Sequence, residues 1–129
     1  MEIKCHGLHC QMKFSKPDSE GWMRTSIVVM VPNFEGSFQC SIEVNEFEIL
    51  VQKLRKFNET IGQGSEISWA NMEGNVELNF NLDRLGHITG SYMFAPGADS
   101  MNTVLSGDFE ADQSYIHDWL EQAEGVMLG

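Results

Sequence analysis

The strongest constraint on what this chain can fold into is the change of hydrophobic period between Leu105 and Ile116. Leu105, Gly107 and Phe109 recur every second residue, and Ile116, Trp119, Leu120 and Ala123 recur at helical spacing. A period of two lines one face of a strand, and a period of 3.6 lines one stripe of a helix. Asp112 stands between them, where a helix N-cap belongs. A short acidic turn of this kind leaves the helix one way to bury its stripe, which is to fold back onto the sheet that the strand has just left.

The remaining segments predict strands with short connections. Leu8, Cys10, Met12 and Phe14 alternate with polar neighbours, and Lys16–Gly21 is a dense turn cluster. Trp22 to Val31 is so rich in β-branched residues that it predicts a strand buried on nearly both faces, closed by Pro32-Asn33. Phe38, Cys40, Ile42 and Val44 alternate in a third strand. A helix follows. Asn45 and Glu48 fit a capping box, Phe47, Leu50, Val51, Leu54, Phe57 and Ile61 share one face, and Gly62 ends it. Ile67 with Trp69, Val76 to Leu82, and Ile88 to Phe94 give three more strands before the one that ends the series. The expectation is an α+β fold in one domain over residues 1–129: a twisted antiparallel sheet of about seven strands with two helices packed on one face.

Charge narrows the choice of partner. The chain has 19 Asp and Glu against 8 Lys and Arg, a net charge of −11, and no Lys or Arg after Arg84. Such a domain repels a phosphate backbone, which argues against direct nucleic-acid binding. The acids serve either to solvate the surface or to attract a basic protein. Outward positions of the central strands are Glu77, Asn79, Asn81, Thr89, Ser91, Gln39, Ser41 and Glu43, polar but mostly short and free of Lys. A face of that kind is cheap to desolvate and suits contact. The longest apolar run, Ile27 to Val31, is far too short to span a membrane. With three cysteines and no disulfide framework, the chain reads as cytoplasmic.

Signatures of catalysis are sparse. Cys5-His6-Gly7-Leu8-His9-Cys10 gathers four ligand-type side chains, but on a strand they point to opposite faces and no second cysteine pair exists, so no metal is expected. Ser106 with Asp108, and His117 with Asp118, lack a nucleophile elbow or metal spacing, and Gly62-Gln63-Gly64 is a connector and no phosphate cradle. No cofactor and no enzymatic activity are expected. Trp22, Trp69 and Trp119 sit in apolar patterns and read as core.

Several segments together carry a family likeness: Gly21-Trp22-Met23, Gly36-Ser37-Phe38, Asn45-Glu46-Phe47 with Leu50 and Leu54, and Ser65-Glu66-Ile67. Glu73-Gly74-Asn75-Val76-Glu77-Leu78, Leu85-Gly86-His87-Ile88 and the junction Phe109-Glu110-Ala111-Asp112-Gln113-Ser114-Tyr115 continue it. Over roughly residues 20–128 the chain resembles the WapI-type immunity proteins of bacterial polymorphic toxin systems. The resemblance implies a small cytoplasmic protein that binds and neutralises one cognate toxin domain, often a nuclease, and has no activity of its own. On charge grounds, a basic toxin would meet exposed acids such as Glu66, Glu73, Glu77, Asp83, Asp108 and Glu110. The alternative is a small-ligand-binding module with a cavity between sheet and helices.

Overall fold

The computed structural model describes residues 1–128. Strands β1 (Glu2–Cys5), β2 (Leu8–Phe14), β3 (Trp22–Val31) and β4 (Phe34–Glu43) precede helix α1 (Val44–Glu59). Strands β5 (Ser65–Ala70), β6 (Val76–Leu82), β7 (His87–Phe94) and β8 (Leu105–Asp112) precede helix α2 (Ser114–Leu128). The class is α+β and every strand pair is antiparallel. Among the described residues the strands number eight and form two four-stranded sheets, β1-β2-β3-β4 and β5-β6-β7-β8, where one sheet of about seven was expected.

The reason for the division lies in α1. A 16-residue helix rises about 24 Å, enough to carry the chain clear of β4, and it then docks along β5, where another strand could otherwise have added. Lys53 Nζ donates to the Ser68 carbonyl on the open side of β5. Trp69 Nε1 donates to the Glu46 carbonyl at 2.8 Å, and the Met72 amide donates to Glu46 Oε1. One continuous apolar cluster joins the inner faces of both sheets to both helices. Phe14 packs on Phe47 with ring centroids 4.8 Å apart, and Phe80 meets Phe57, Phe109 and Trp119 within 6.0 Å. Such aromatic pairs add about 0.5–1.5 kcal/mol each beyond the area they bury.

Several expectations are corrected. The segment Cys5–Cys10 is a tight hairpin, with Cys5 opposite Leu8 and Gly7 at φ +93°, and no single strand. On β3 only Met23, Thr25, Ile27 and Val29 are buried. Their neighbours, Trp22 among them, are half-exposed, and Arg24 is exposed, because among the described residues no layer covers the outer face of the first sheet. The α1 capping box is Glu43 with Glu46, two residues ahead of the Asn45–Glu48 pair, and the Glu43 amide donates to Glu46 Oε2 at 2.8 Å. Thr60 closes the helix on the Phe57 carbonyl, which leaves Ile61 exposed beyond it. Asp112 remains the last residue of β8, and its carboxylate accepts from the Ser114 amide at 2.8 Å and from the Ser114 hydroxyl.

Candidate functional site

The second sheet turns Val76, Leu78, Phe80 and Leu82 of β6, Ile88, Tyr92 and Phe94 of β7, and Phe109 of β8 into the core. By the two-residue period the opposite face must carry their neighbours. The register sets these out in three rows across the four strands. One row is Glu66, Asn81, Thr89 and Glu110; the next is Ser68, Asn79, Ser91 and Asp108; the third is Ala70, Glu77, Met93 and Ser106. The first two rows line a shallow open cleft of about 460 Å³. Among the described residues no ion pair engages Glu66, Glu77, Asp108 or Glu110. Asn79 Nδ2 donates to Ser91 Oγ at 3.0 Å, so the centre of the face holds its own short polar side chains in place.

Four of the six acids singled out in the sequence therefore share one face. The other two do not. Asp83 lies in the β6–β7 turn, where Oδ1 accepts from the Leu85 and His87 amides at 2.9 Å each and fixes the turn. Glu73 lies in the β5–β6 turn, at the opposite end of the sheet. Gln39, Ser41 and Glu43 belong to β4 of the first sheet, so they do not extend the face formed by Asn79 and Ser91. The sequence pattern carried no sign of that separation, because both sheets alternate with the same period.

The β1–β2 hairpin borders the acidic face. The His6 amide and carbonyl pair with those of Glu110, at 3.1 and 2.9 Å. A Cβ on Gly7 would stand 2.9 Å from the Asp108 carbonyl, so the close approach of the hairpin requires glycine there. His9 points away from the core to Glu2, 3.3 Å distant, while Cys10 is buried. No group of three or more His, Cys, Asp or Glu among the described residues surrounds a common point. Burial pushes the thiols of Cys5, Cys10 and Cys40 up to about 11, 12 and 11, which keeps them protonated at neutral pH. Burial, reinforced by Asp108, also raises Tyr92 above the ordinary phenol value. His117 stands exposed on α2, 3.8 Å from Glu121, and His87 lies opposite Asp112 at one end of the sheet. Neither histidine lines the cleft. The arrangement is an open face on which four carboxylates stand among mostly short polar side chains.

A family model described as the immunity protein WapI-like family matches residues 2–128. The chain belongs to this family. The match reaches back through the β1–β2 hairpin, beyond the residue-20 limit read from the sequence. No curated protein and no solved structure matches the chain. Membership supports an immunity role and binding of a toxin partner. Among the described residues no helix is long and apolar enough to cross a membrane.

Proposed function

We propose that this protein neutralises a cognate toxin domain by covering it with the outer face of the second sheet, and that it does so in the cytoplasm without catalysing a reaction. The observation that carries this reading is the three-row face itself. Four unpaired acids stand among short Asn, Ser and Thr side chains, with no Lys or Arg in any row. A basic toxin would be steered to such a face and held there, and close charge pairs across an interface couple by about 1.5–7 kcal/mol. A nuclease is the toxin class that fits, because an enzyme that grips phosphate carries the complementary positive surface.

The test is co-expression with the toxin domain encoded beside the gene. The parent protein rescues growth and co-purifies with the toxin. A fourfold variant, Glu66→Gln, Glu77→Gln, Asp108→Asn and Glu110→Gln, keeps the fold but loses at least tenfold in affinity. Equal affinity of parent and variant would remove this face from the interface. A ligand-binding reading rests on a different feature, a cleft of about 450 Å³ lined by Met1, Met12, Met23, Met127 and Phe14. A small molecule that co-purifies with the protein and protects these methionines from oxidation would favour it.

A further inference from the structure

Each four-stranded sheet has two edges, and an open edge presents unpaired N–H and C=O groups that recruit another strand. Three of the four edges are each engaged at one position. The four-residue β1 donates its Glu2 amide to Gln122 of α2 at 2.6 Å. On β5 the Ser68 carbonyl accepts from Lys53, and on β8 Glu110 is paired with His6. The fourth edge, β4, is ten residues long, has an unbroken register with β3, and contains neither Pro nor Lys.

Which β4 groups are free follows from the ladder. The Ser15 amide donates to the Arg24 carbonyl, and the Val44 amide donates to the Gly21 carbonyl, each at 2.9 Å. In an antiparallel ladder bonding alternates from side to side. Odd residues of β3 therefore bond to even residues of β4, and Glu35, Ser37, Gln39 and Ser41 aim their main-chain groups outward. Among the described residues these four amides and carbonyls have no hydrogen-bond partner outside the ladder. Beside the edge, Phe34–Phe38 and Thr103–Leu105 enclose a cleft of about 370 Å³, whose one charged residue is Glu35. Phe34 and Val104 at its rim are 67% and 53% exposed.

We propose that β4 is a strand-addition site, occupied by an extended segment of the partner toxin in which basic and apolar residues alternate. The proposal rests on the immunity reading and adds the mode of docking. Main-chain bonds from Glu35 to Ser41 supply affinity, and side chains seated in the cleft supply register and specificity. Charge selects the occupant. β4 carries Glu35 and Glu43 and no base, so a second copy of this chain, itself at −11, would set like charges together along the shared edge. A basic strand relieves them. Val104 belongs both to this cleft and to a hollow containing Glu77, Asn79 and Asp108, so one partner can cover the edge and the acidic face together.

The test measures residue-resolved amide exchange of the unmodified protein, free and in complex with the toxin domain. Addition slows the amides of Glu35, Ser37, Gln39 and Ser41 at least tenfold and leaves the even-numbered amides, already bonded to β3, nearly unchanged. In parallel, Ser37→Pro and Gln39→Pro remove outward donors that the ladder does not use, a substitution edge strands accept. Each keeps the parent's thermal midpoint within a few degrees and loses at least tenfold in affinity. A complex in which the odd amides exchange as in the free protein overturns strand addition and leaves the immunity reading standing. Absence of any complex with the unmodified protein overturns both. Concentration-dependent protection of the same amides without toxin assigns the edge to a second copy and overturns the toxin strand. Should a proline variant unfold, the exchange data decide alone.

Discussion

At the scale of single residues, two strand glycines take their identity from aromatic rings lying across them. A Cβ on Gly90 would fall on the Phe109 ring and 2.5 Å from the Asn79 carbonyl, and one on Gly107 would fall on Tyr92. Gly36, by contrast, has nothing within 4 Å of such an atom. Gly90→Ala is therefore expected to cost about 1–3 kcal/mol through overpacking, and Gly36→Ala close to nothing, as read from urea unfolding midpoints. Asp112 supplies a second prediction. Hydrogen bonds from the Ser114 hydroxyl and amide hold its carboxyl below the ordinary carboxylate range. A depressed native value means that the contribution is present above the unfolded-state value and is lost as pH falls through the native one. The acid limb of the stability curve should flatten in Asp112→Asn, which keeps an acceptor for Ser114 at neutral pH, whereas Asp112→Ala should lower the thermal midpoint at neutral pH as well. The sequence signalled the importance of Asp112 through its place at the change of period. It gave no hint of the ring over Gly90, since that contact joins residues directly opposite each other on neighbouring strands and depends on the register of β7 with β8.

At the scale of elements, the β5–β6 turn shows how a polar cluster can be buried without penalty. Asn71 Oδ1 accepts from the Asn75 and Val76 amides at 2.8 and 2.9 Å, Asn71 Nδ2 donates to Asn75 Oδ1, and Asn75 Nδ2 donates to the Ala95 carbonyl. Asn71 and Asn75 are only 3% and 7% exposed, so solvent cannot replace these bonds. Removing Asn71 leaves two buried amides unpaired, and Asn71→Ala is expected to destabilise by about 1–3 kcal/mol for each amide left without a partner. Faster amide exchange at Asn75 and Val76 would confirm the cause. Glu46 links the same turn to α1, with one carboxylate oxygen on the Glu43 amide and the other on the Met72 amide. Helices and alternating strands were legible from periodicity, including β6, β7 and β8 with their inward residues. The start of α1 was not. Asn45 suits an N-cap by composition, but the helix begins where the pairing of β3 with β4 ends, and the register places that end at Glu43.

At the scale of the whole molecule, the acids act through their common field. Four of them on one face without bases should make toxin association fast at low salt and slower as salt rises, because exposed charges are screened beyond about 10 Å at 0.1 M. Stopped-flow association rates between 50 and 500 mM salt test this. A rate independent of salt would mean that the face plays no part in encounter. The sequence by itself determined the α+β class, the apolar face of each helix, the inward residues of most strands, the net charge and the family likeness. All of these are properties of local period, composition or motif. Only the tertiary structure decided that the strands form two sheets, that Asp83 and Glu73 leave the acidic face while Glu66, Glu77, Asp108 and Glu110 stay on it, and that the outward groups of β4 from Glu35 to Ser41 have no hydrogen-bond partner among the described residues. Those outcomes depend on contacts between distant segments, α1 against β5 and the β1–β2 hairpin against β8. Alternating strands look alike along the chain, and which edge is covered is settled only when the helices and hairpins have found their places.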